Sequence, residues 1–373
     1  MMRNFTSLGL MSGTSMDGID GAVLVTDGEM LERFGPTAYR PFSAGEQDIL
    51  QAAMADAVTL KDRTARSELL KQAEQLVTDA HCELIAGLLE KARAEKMNVD
   101  VIGFHGQTVL HRPDIHLTVQ LGLPQKIANR FKIGVVADFR AADVAAGGEG
   151  APLVPVMHLA LAKTAKLVLP CAVVNIGGVA NVTIIAKDDL LTAFDTGPGN
   201  ALLNDWLRTK TGAAMDENGA TAAKGKVHDD ILQKLMADDY FKRPPPKSLD
   251  RDHFRYAMAL VADLSLEDGA ATLTAFTAES LAIGLRITDQ PIQQIVIAGG
   301  GAHNPSLLRE LKKRTNASVV TADDMGWSVN FMEAQAFAFL AARSINGLPL
   351  SFPGTTGVKK PLTGGVLFQP RGE

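Results

Sequence analysis

The sequence predicts an α/β protein of two domains, and three observations carry that expectation. A strand, a glycine-rich turn and a second strand appear near residues 4–25 and again near 171–194, with helical stretches following each. Acidic residues stand at the turns or strand ends in both halves. At 373 residues the chain is long enough to bury two cores. The halves match in architecture and not as a sequence repeat. The run Ala145-Ala146-Gly147-Gly148-Glu149-Gly150-Ala151-Pro152 reads as a hinge and sets the expected domains at 1–145 and 146–373.

Composition narrows the function classes. Hydrophobic residues make up 46% and charged residues 21%, as in a soluble globular protein. Net charge is −5 with basic residues spread along the chain, so nucleic acid is not an expected partner. Cys82 and Cys171 sit in apolar contexts without metal spacing and read as buried reduced thiols. No signal peptide opens the chain, and no apolar run reaches the roughly 20 residues that span a bilayer. A cytoplasmic protein with no membrane contact is expected.

Residues 1–45 read as short strands, with Thr26-Asp27-Gly28-Glu29 as a turn. Residues 44–96 read as helix, with Leu69, Leu76, Leu84 and Leu88 among the positions of one long apolar face. A short strand over 100–104 is expected to deliver His105, Gln107 and Thr108 at its C-terminal end. Strands follow at 117–121 and 133–136, then a buried one at 171–175. A further strand at 191–194 ends at Asp195, and a helix runs through Trp206. Residues 244–252, Pro-Pro-Pro-Lys-Ser-Leu-Asp-Arg-Asp, form a rigid polar loop. Helix returns over 273–287, followed by a strand at 294–298, a helix at 306–314, a strand at 318–321 and a helix at 331–345. The Gly/Pro-rich tail after Pro349 is not placed by pattern.

Several stretches carry chemistry. Residues 9–21 gather small and acidic residues between two strands. Such a tip exposes backbone N–H groups that suit phosphate oxygens. Asp17 and Asp20 would repel phosphate unless Mg²⁺ lies between, which points to a metal nucleotide. An ordinary surface turn explains the same composition, since the run matches neither Walker A nor GxGxxG. Gly299-Gly300-Gly301, between a strand and a helix, suits close passage of a nucleotide, or simply a tight turn. Asp195, ahead of Thr196-Gly197-Pro198-Gly199-Asn200, is placed as a base or metal-directing group, or as a helix cap. His105, Gln107 and Thr108 could bond a sugar or form a core network. Arg140 with Asp143 reads as a local ion pair or a ligand contact, and Glu333 as an N-terminal helix charge or a ligand.

Together these blocks resemble the anhydro-N-acetylmuramic acid kinases, cell-wall recycling enzymes of the sugar kinase, Hsp70 and actin superfamily. The residues are 9–20 (GLMSGTSMDGID), 103–113 (GFHGQTVLHRP), 137–155 (ADFRAADVAAGGEGAPLVP), 175–183 (NIGGVANVT), 194–200 (FDTGPGN), 298–305 (AGGGAHNP) and 330–337 (NFMEAQAF). They span nearly the whole chain in the family's order. The resemblance implies two actin-like (ribonuclease H-like) domains flanking a nucleotide-binding cleft, with ATP and Mg²⁺ between the glycine hairpins, and with the C-terminal tail packing back on the first domain. It implies conversion of 1,6-anhydro-N-acetylmuramate, ATP and water to N-acetylmuramate 6-phosphate and ADP.

Under that resemblance Asp195 is the catalytic base. Gly13, Thr14, Ser15, Met16, Asp17, Gly18, Ile19 and Asp20 embrace the phosphates, with Asp17 or Asp20 ordering Mg²⁺ through water. Gly177, Gly178, Gly197 and Gly199 form the second nucleotide-binding hairpin and its partner strand, and Gly299, Gly300 and Gly301 lie along the adenosine. The sugar falls to His105, Gln107, Thr108, Arg140 and Glu333, with Arg140 suited to the lactyl carboxylate. A homodimer stands as the expected assembly. Two alternatives remain at this point: a conventional hydroxyl kinase acting on a free amino sugar, and a non-catalytic nucleotide switch of the actin or Hsp70 kind.

Overall fold

The structure is a computed structural model and describes residues 2–288 and 290–372. It divides into two units, one formed by residues up to Thr164 together with those from Asn330 onward, the other by Ala165–Val329. The first begins with β1 (Phe5–Ser12), β2 (Gly18–Thr26), β3 (Leu31–Pro41), α1 (Ala44–Ala57) and α2 (Glu68–Ala94). It continues through β4 (Val101–Arg112), β5 (Leu117–Leu121), α3 (Pro124–Phe131), β6 (Gly134–Ala137), α4 (Ala141–Ala145) and α5 (Pro155–Thr164). The second holds β7 (Cys171–Ile176), β8 (Val179–Ile185), β9 (Leu191–Pro198), α6 (Ala201–Thr211), α7 (Asp229–Met236) and α8 (Ala257–Leu260). It ends with α9 (Leu266–Leu285), β10 (Gln294–Ala298), α10 (Pro305–Arg314) and β11 (Ser318–Thr321). The chain then returns to the first unit as α11 (Met332–Ile345), α12 (Pro353–Thr356) and β12 (Val366–Phe368).

The two sheets share one plan. In the first unit β1, β2 and β3 form an antiparallel meander, and β4 then β6 run parallel to β1 on its other side. In the second, β7, β8 and β9 form the meander, and β10 then β11 continue parallel to β7. Parallel neighbours need crossover segments, which the helices supply. The first sheet adds β5 beside β4 and closes with β12 antiparallel to β6. This is the ribonuclease H-like plan, present twice, as the sequence predicts.

Helix α11 explains why the C-terminal segment belongs with the first unit, not with the second half as a boundary at 145/146 would have it. Gly9 of β1 and Gly103 of β4 are register partners. A Cβ on Gly9 would overlap the main chain of Ala334 and Ala338, and one on Gly103 would overlap the carbonyl of Phe337. The helix therefore lies directly on paired glycines, and Ser7 Oγ donates to Ala338 O at 2.6 Å beside them. On the opposite face Leu8, Leu10, Ile19 and Val23 pack against α1 and α2 through Leu50, Leu84 and Leu88. The second core joins Val174, Val182 and Ile295 to Leu281 of α9 and Leu307 of α10.

Other local expectations are revised. The helical stretch over 44–96 is two helices. Ser43 and Glu46 form a capping box for α1, and Ser67 caps α2 by accepting from Leu70 N at 3.1 Å. The glycine-rich run at 145–152 is tied within the first unit. Gly150 N–H donates to Asp143 Oδ1 at 2.6 Å, and Glu149 N–H donates to Thr356 O at 2.7 Å. Among the described residues no helix is long and apolar enough to cross a membrane.

Candidate active site

In the first unit the tip between β1 and β2 is braced from behind. Gln107 Nε2 donates to Gly13 O and Gln47 Nε2 to Met16 O, each at 3.0 Å. Met16 adopts φ of 55° to close the tip, and Tyr39 Oη donates to Asp17 O at 2.9 Å. With these carbonyls held from the protein side, Thr14, Ser15 and Asp17 stay exposed, and Ser15 Oγ donates to Asp17 Oδ1 at 2.6 Å. Gly18 is a packing glycine, since a Cβ there would reach the Tyr39 ring and Arg40 O; Ile19 is fully buried. Asp20 lies on β2, with its carboxyl pushed up to about 6 by burial first and then by Asp17 and Glu333.

Strand β4 does not end before His105. It bends at Gly106, with φ of 75°, and runs on to pair with β5, so His105, Gln107 and Thr108 lie inside it. His105 Nδ1 donates to Gly106 O at 2.8 Å, and its Nε2 accepts from Arg140 Nε at 2.9 Å. Both nitrogens are thus engaged by protein. Burial, then the Arg140 charge, hold this imidazole neutral, far below its ordinary pKa. Arg140 also donates from Nη1 to Gly150 O at 2.7 Å, which fixes the guanidinium plane, and among the described residues Nη2 has no protein acceptor. Gln107 is fully buried and bonded to Gly13, so it serves the tip. Thr108 Oγ1 accepts from Gln120 Nε2 at 3.2 Å. Glu333, on the first turn of α11, keeps accessible surface yet is enclosed by protein on most sides. Burial raises its pKa, and Arg140 opposes the rise.

In the second unit Asp195 lies within β9 opposite Asn181, not at the strand end. Its N–H donates to Lys247 O at 3.0 Å, its carbonyl accepts from Tyr240 Oη at 2.6 Å, and its Oδ2 accepts from Leu249 N at 2.8 Å. Among the described residues none donates to Oδ1. Burial pushes this carboxyl up to about 6, and the Leu249 N–H works against the rise. The turn at Gly177 and Gly178 is closed by α6. Asn200 N donates to Gly177 O at 2.7 Å and Gly199 N to Gly178 O at 2.9 Å. Glycine at 199 is required by that contact, and Gly197 is buried against Ser280. Gly299, with φ of 74°, and Gly301 pack on the end of β7 at Asn175 and Ile176, while Gly300 is exposed. Tyr240, Lys247 and Leu249 escape a reading of the sequence, except that the proline run at 244–246 marks a stiff segment.

A divalent cation is implied by kinase chemistry, and the acid pair fits one. Asp20 retains its proton up to about 6 beside Asp17 and Glu333, a cluster that a cation would relieve. Among the described residues no three His, Cys, Asp or Glu side chains converge on a metal by themselves. That suits Mg²⁺ carried by phosphates, which needs only one or two protein carboxylates.

Two ribonuclease H-like units, each with a glycine hairpin, define the class by fold: an actin-like α/β protein. The family model described as anhydro-N-acetylmuramic acid kinase matches residues 5–370, and the chain belongs to that family. It is 50% identical over 366 residues to the anhydro-N-acetylmuramic acid kinase of Rhodopseudomonas palustris, covering 98% of this chain and 99% of the relative. It is 48% identical over 374 residues to that of Methylobacterium nodulans, covering 98% and 100%. With that of Azorhizobium caulinodans it shares 50% over 367 residues, covering 98% and 99%.

Proposed function

We propose that this kinase opens 1,6-anhydro-N-acetylmuramic acid with water while transferring the γ-phosphoryl group of ATP to O6. The products are N-acetylmuramic acid 6-phosphate and ADP, and the reaction recovers cell-wall sugar in the cytoplasm. One observation carries the chemistry: Asp195 is a part-buried carboxyl tied at Oδ2, poised at about 6 and open at Oδ1. In the anhydro sugar O6 is bonded to C1, so no hydroxyl is free to accept phosphate. Asp195 takes a proton from water as that oxygen attacks C1. The C1–O6 bond breaks, and O6 forms its new bond to the γ-phosphorus as ADP leaves. The tip at Gly13–Asp20 holds phosphate oxygens, and Gly300 gives the adenosine a surface. Asp17 or Asp20 would hold Mg²⁺, which would supply positive charge beside the phosphates. Arg140 offers Nη2 to the lactyl carboxylate, and His105 orients it.

Sugar-dependent ADP release tests this reading. Turnover is expected with the 1,6-anhydro sugar. Equal turnover of N-acetylmuramate or N-acetylglucosamine would instead support the hydroxyl kinase, and sugar-independent turnover the nucleotide switch.

Two further outcomes follow from the charges. Arg140→Ala should raise the KM for anhydro-N-acetylmuramate by about tenfold or more, the equivalent of a charged hydrogen bond of about 1.5–3 kcal/mol. An anhydro sugar lacking the lactyl group should lose little. The second outcome concerns pH. Asp195 must be ionised to act, so activity is kept above about 6 and lost below it. Asp20 titrates in the same range, so the limb is read in kcat at saturating Mg²⁺ and ATP, where bound cation holds Asp20 ionised. The slope should be about tenfold per pH unit below the midpoint.

A further inference from the structure

The segment that flanks Asp195 has no part in the mechanism above, yet it contacts this residue at every polar atom the protein engages. Tyr240 Oη donates to Asp195 O at 2.6 Å, Asp195 N donates to Lys247 O at 3.0 Å, and Leu249 N donates to Asp195 Oδ2 at 2.8 Å. Residues 247–249 thus run beside β9 as a strap on the edge strand's free side. Three prolines, Pro244 to Pro246, precede it and remove backbone freedom. The strap is anchored in turn. Lys247 Nζ donates to Tyr240 O at 3.0 Å and lies 4.5 Å from the centre of the Tyr240 ring. Tyr240 is 2% exposed and packs edge-on to Phe241 and Phe254.

We infer that Tyr240 and the 247–249 strap are positioning elements for the reaction. They hold the Asp195 carboxylate by Oδ2 and the strand beneath it, so that Oδ1 alone meets the water. The inference rests on reading Asp195 as the base. Its physical content is orientational. A carboxylate on an edge strand without the strap would turn about its side-chain bonds, and misplacement of about 1 Å can cost on the order of a hundredfold in rate. The Leu249 N–H also favours the charged form, because a donor aimed at a carboxylate stabilises its anion. Among the described residues the ionisable groups around this contact include Tyr240 itself, Lys247, Arg243 over the Tyr240 ring, His253 against that ring, and Asp238, whose Oδ1 accepts from Tyr240 N and whose Oδ2 accepts from Tyr256 Oη.

Two variants separate positioning from folding. Tyr240→Phe keeps the ring and removes only the donor. It should lower kcat about ten- to a hundredfold while both KM values stay within about twofold. Leu249→Pro removes the N–H, and Leu249→Ala keeps it. The acid limb of kcat should move upward by about one pH unit in the proline variant only. ATP binding and the thermal midpoint report whether each variant folds, and where Leu249→Pro does not, Tyr240→Phe decides. Unchanged kcat in Tyr240→Phe, or equal changes in kcat and both KM values, overturns the inference, as does an unmoved limb in a folded Leu249→Pro. Asp195→Asn keeps the two readings apart. Normal turnover there removes the base assignment itself, whereas lost turnover there with unaffected strap variants removes the strap alone.

Discussion

Asp195→Asn is expected to fold, to bind ATP normally and to lose about 10²–10⁴ in kcat, the usual contribution of a positioned proton acceptor. The amide is nearly isosteric, and its oxygen can still accept from Leu249 N, which reaches the native carboxylate at 2.8 Å. The main-chain bonds to Tyr240 and Lys247 do not involve the side chain. What disappears is basicity, because a neutral amide cannot take a proton from water. Steady-state turnover with the anhydro sugar, beside calorimetric titration with ATP, reads both halves of the expectation. Turnover within a few fold of the parent protein would remove Asp195 as base.

The largest stability effect is expected in the first unit, at Gly103→Val. Gly103 is fully enclosed beneath α11, and any Cβ there meets the Phe337 carbonyl and then the Ala341 methyl at 3.1 Å. Backbone cannot rotate away as a side chain can, so the helix must lift from β1 and β4. Overpacking of this kind costs typically 1–3 kcal/mol and occasionally more, and a clash with main chain belongs at the upper end. At about 2–4 °C per kcal/mol for a domain of this size, the thermal midpoint should fall by roughly 6–12 °C. Glu333, at the start of α11, would shift with the helix, so residual activity should fall too. Gly87→Ala is the control. It lies on α2 with open space around it and should gain about 0.5–1 kcal/mol. Equal thermal midpoints for Gly103→Val and the parent would contradict the packing argument.

These two glycines show where a reading of the sequence stops. Composition marks Gly13, Gly103, Gly197 and Gly300 alike, because a missing side chain leaves no local trace of what it makes room for. Only the fold separates Gly103, which admits a helix, from Gly300, which faces outward. Strands β7, β10 and β11 are legible because each is a short apolar run bounded by polar or glycine residues. The break between α1 and α2 is marked by the polar run at 61–68 (KDRTARSE) and by Ser67, which starts α2 by accepting from Leu70 N; one helix over 44–96 passes over both. Strand β4 reads short because Gly106 looks like a terminator; its positive φ instead lets the strand bend and pair with β5.

The site divides the same way. Asp195 is visible because glycines and a proline crowd the residues that follow it. The partners of its main chain are invisible, as Tyr240 and Lys247 come from a distant stretch and act partly through backbone. His105 and Arg140 read as two separate sugar contacts, while the structure couples them as one, 35 residues apart. That coupling gives His105 a supporting role no spacing rule encodes, since parallel β4 and β6 bring the two segments together.

The fate of water oxygen tests hydrolytic opening coupled to phosphoryl transfer most directly. The reaction is run in ¹⁸O-water with 1,6-anhydro-N-acetylmuramate and ATP and sampled before the anomeric hydroxyl exchanges with solvent. Mass spectrometry should then find one label at C1 of the 6-phosphate product and none in its phosphate, because water attacks carbon and O6 carries the phosphoryl group. Label in phosphate, or a C1 oxygen without label, would contradict the mechanism.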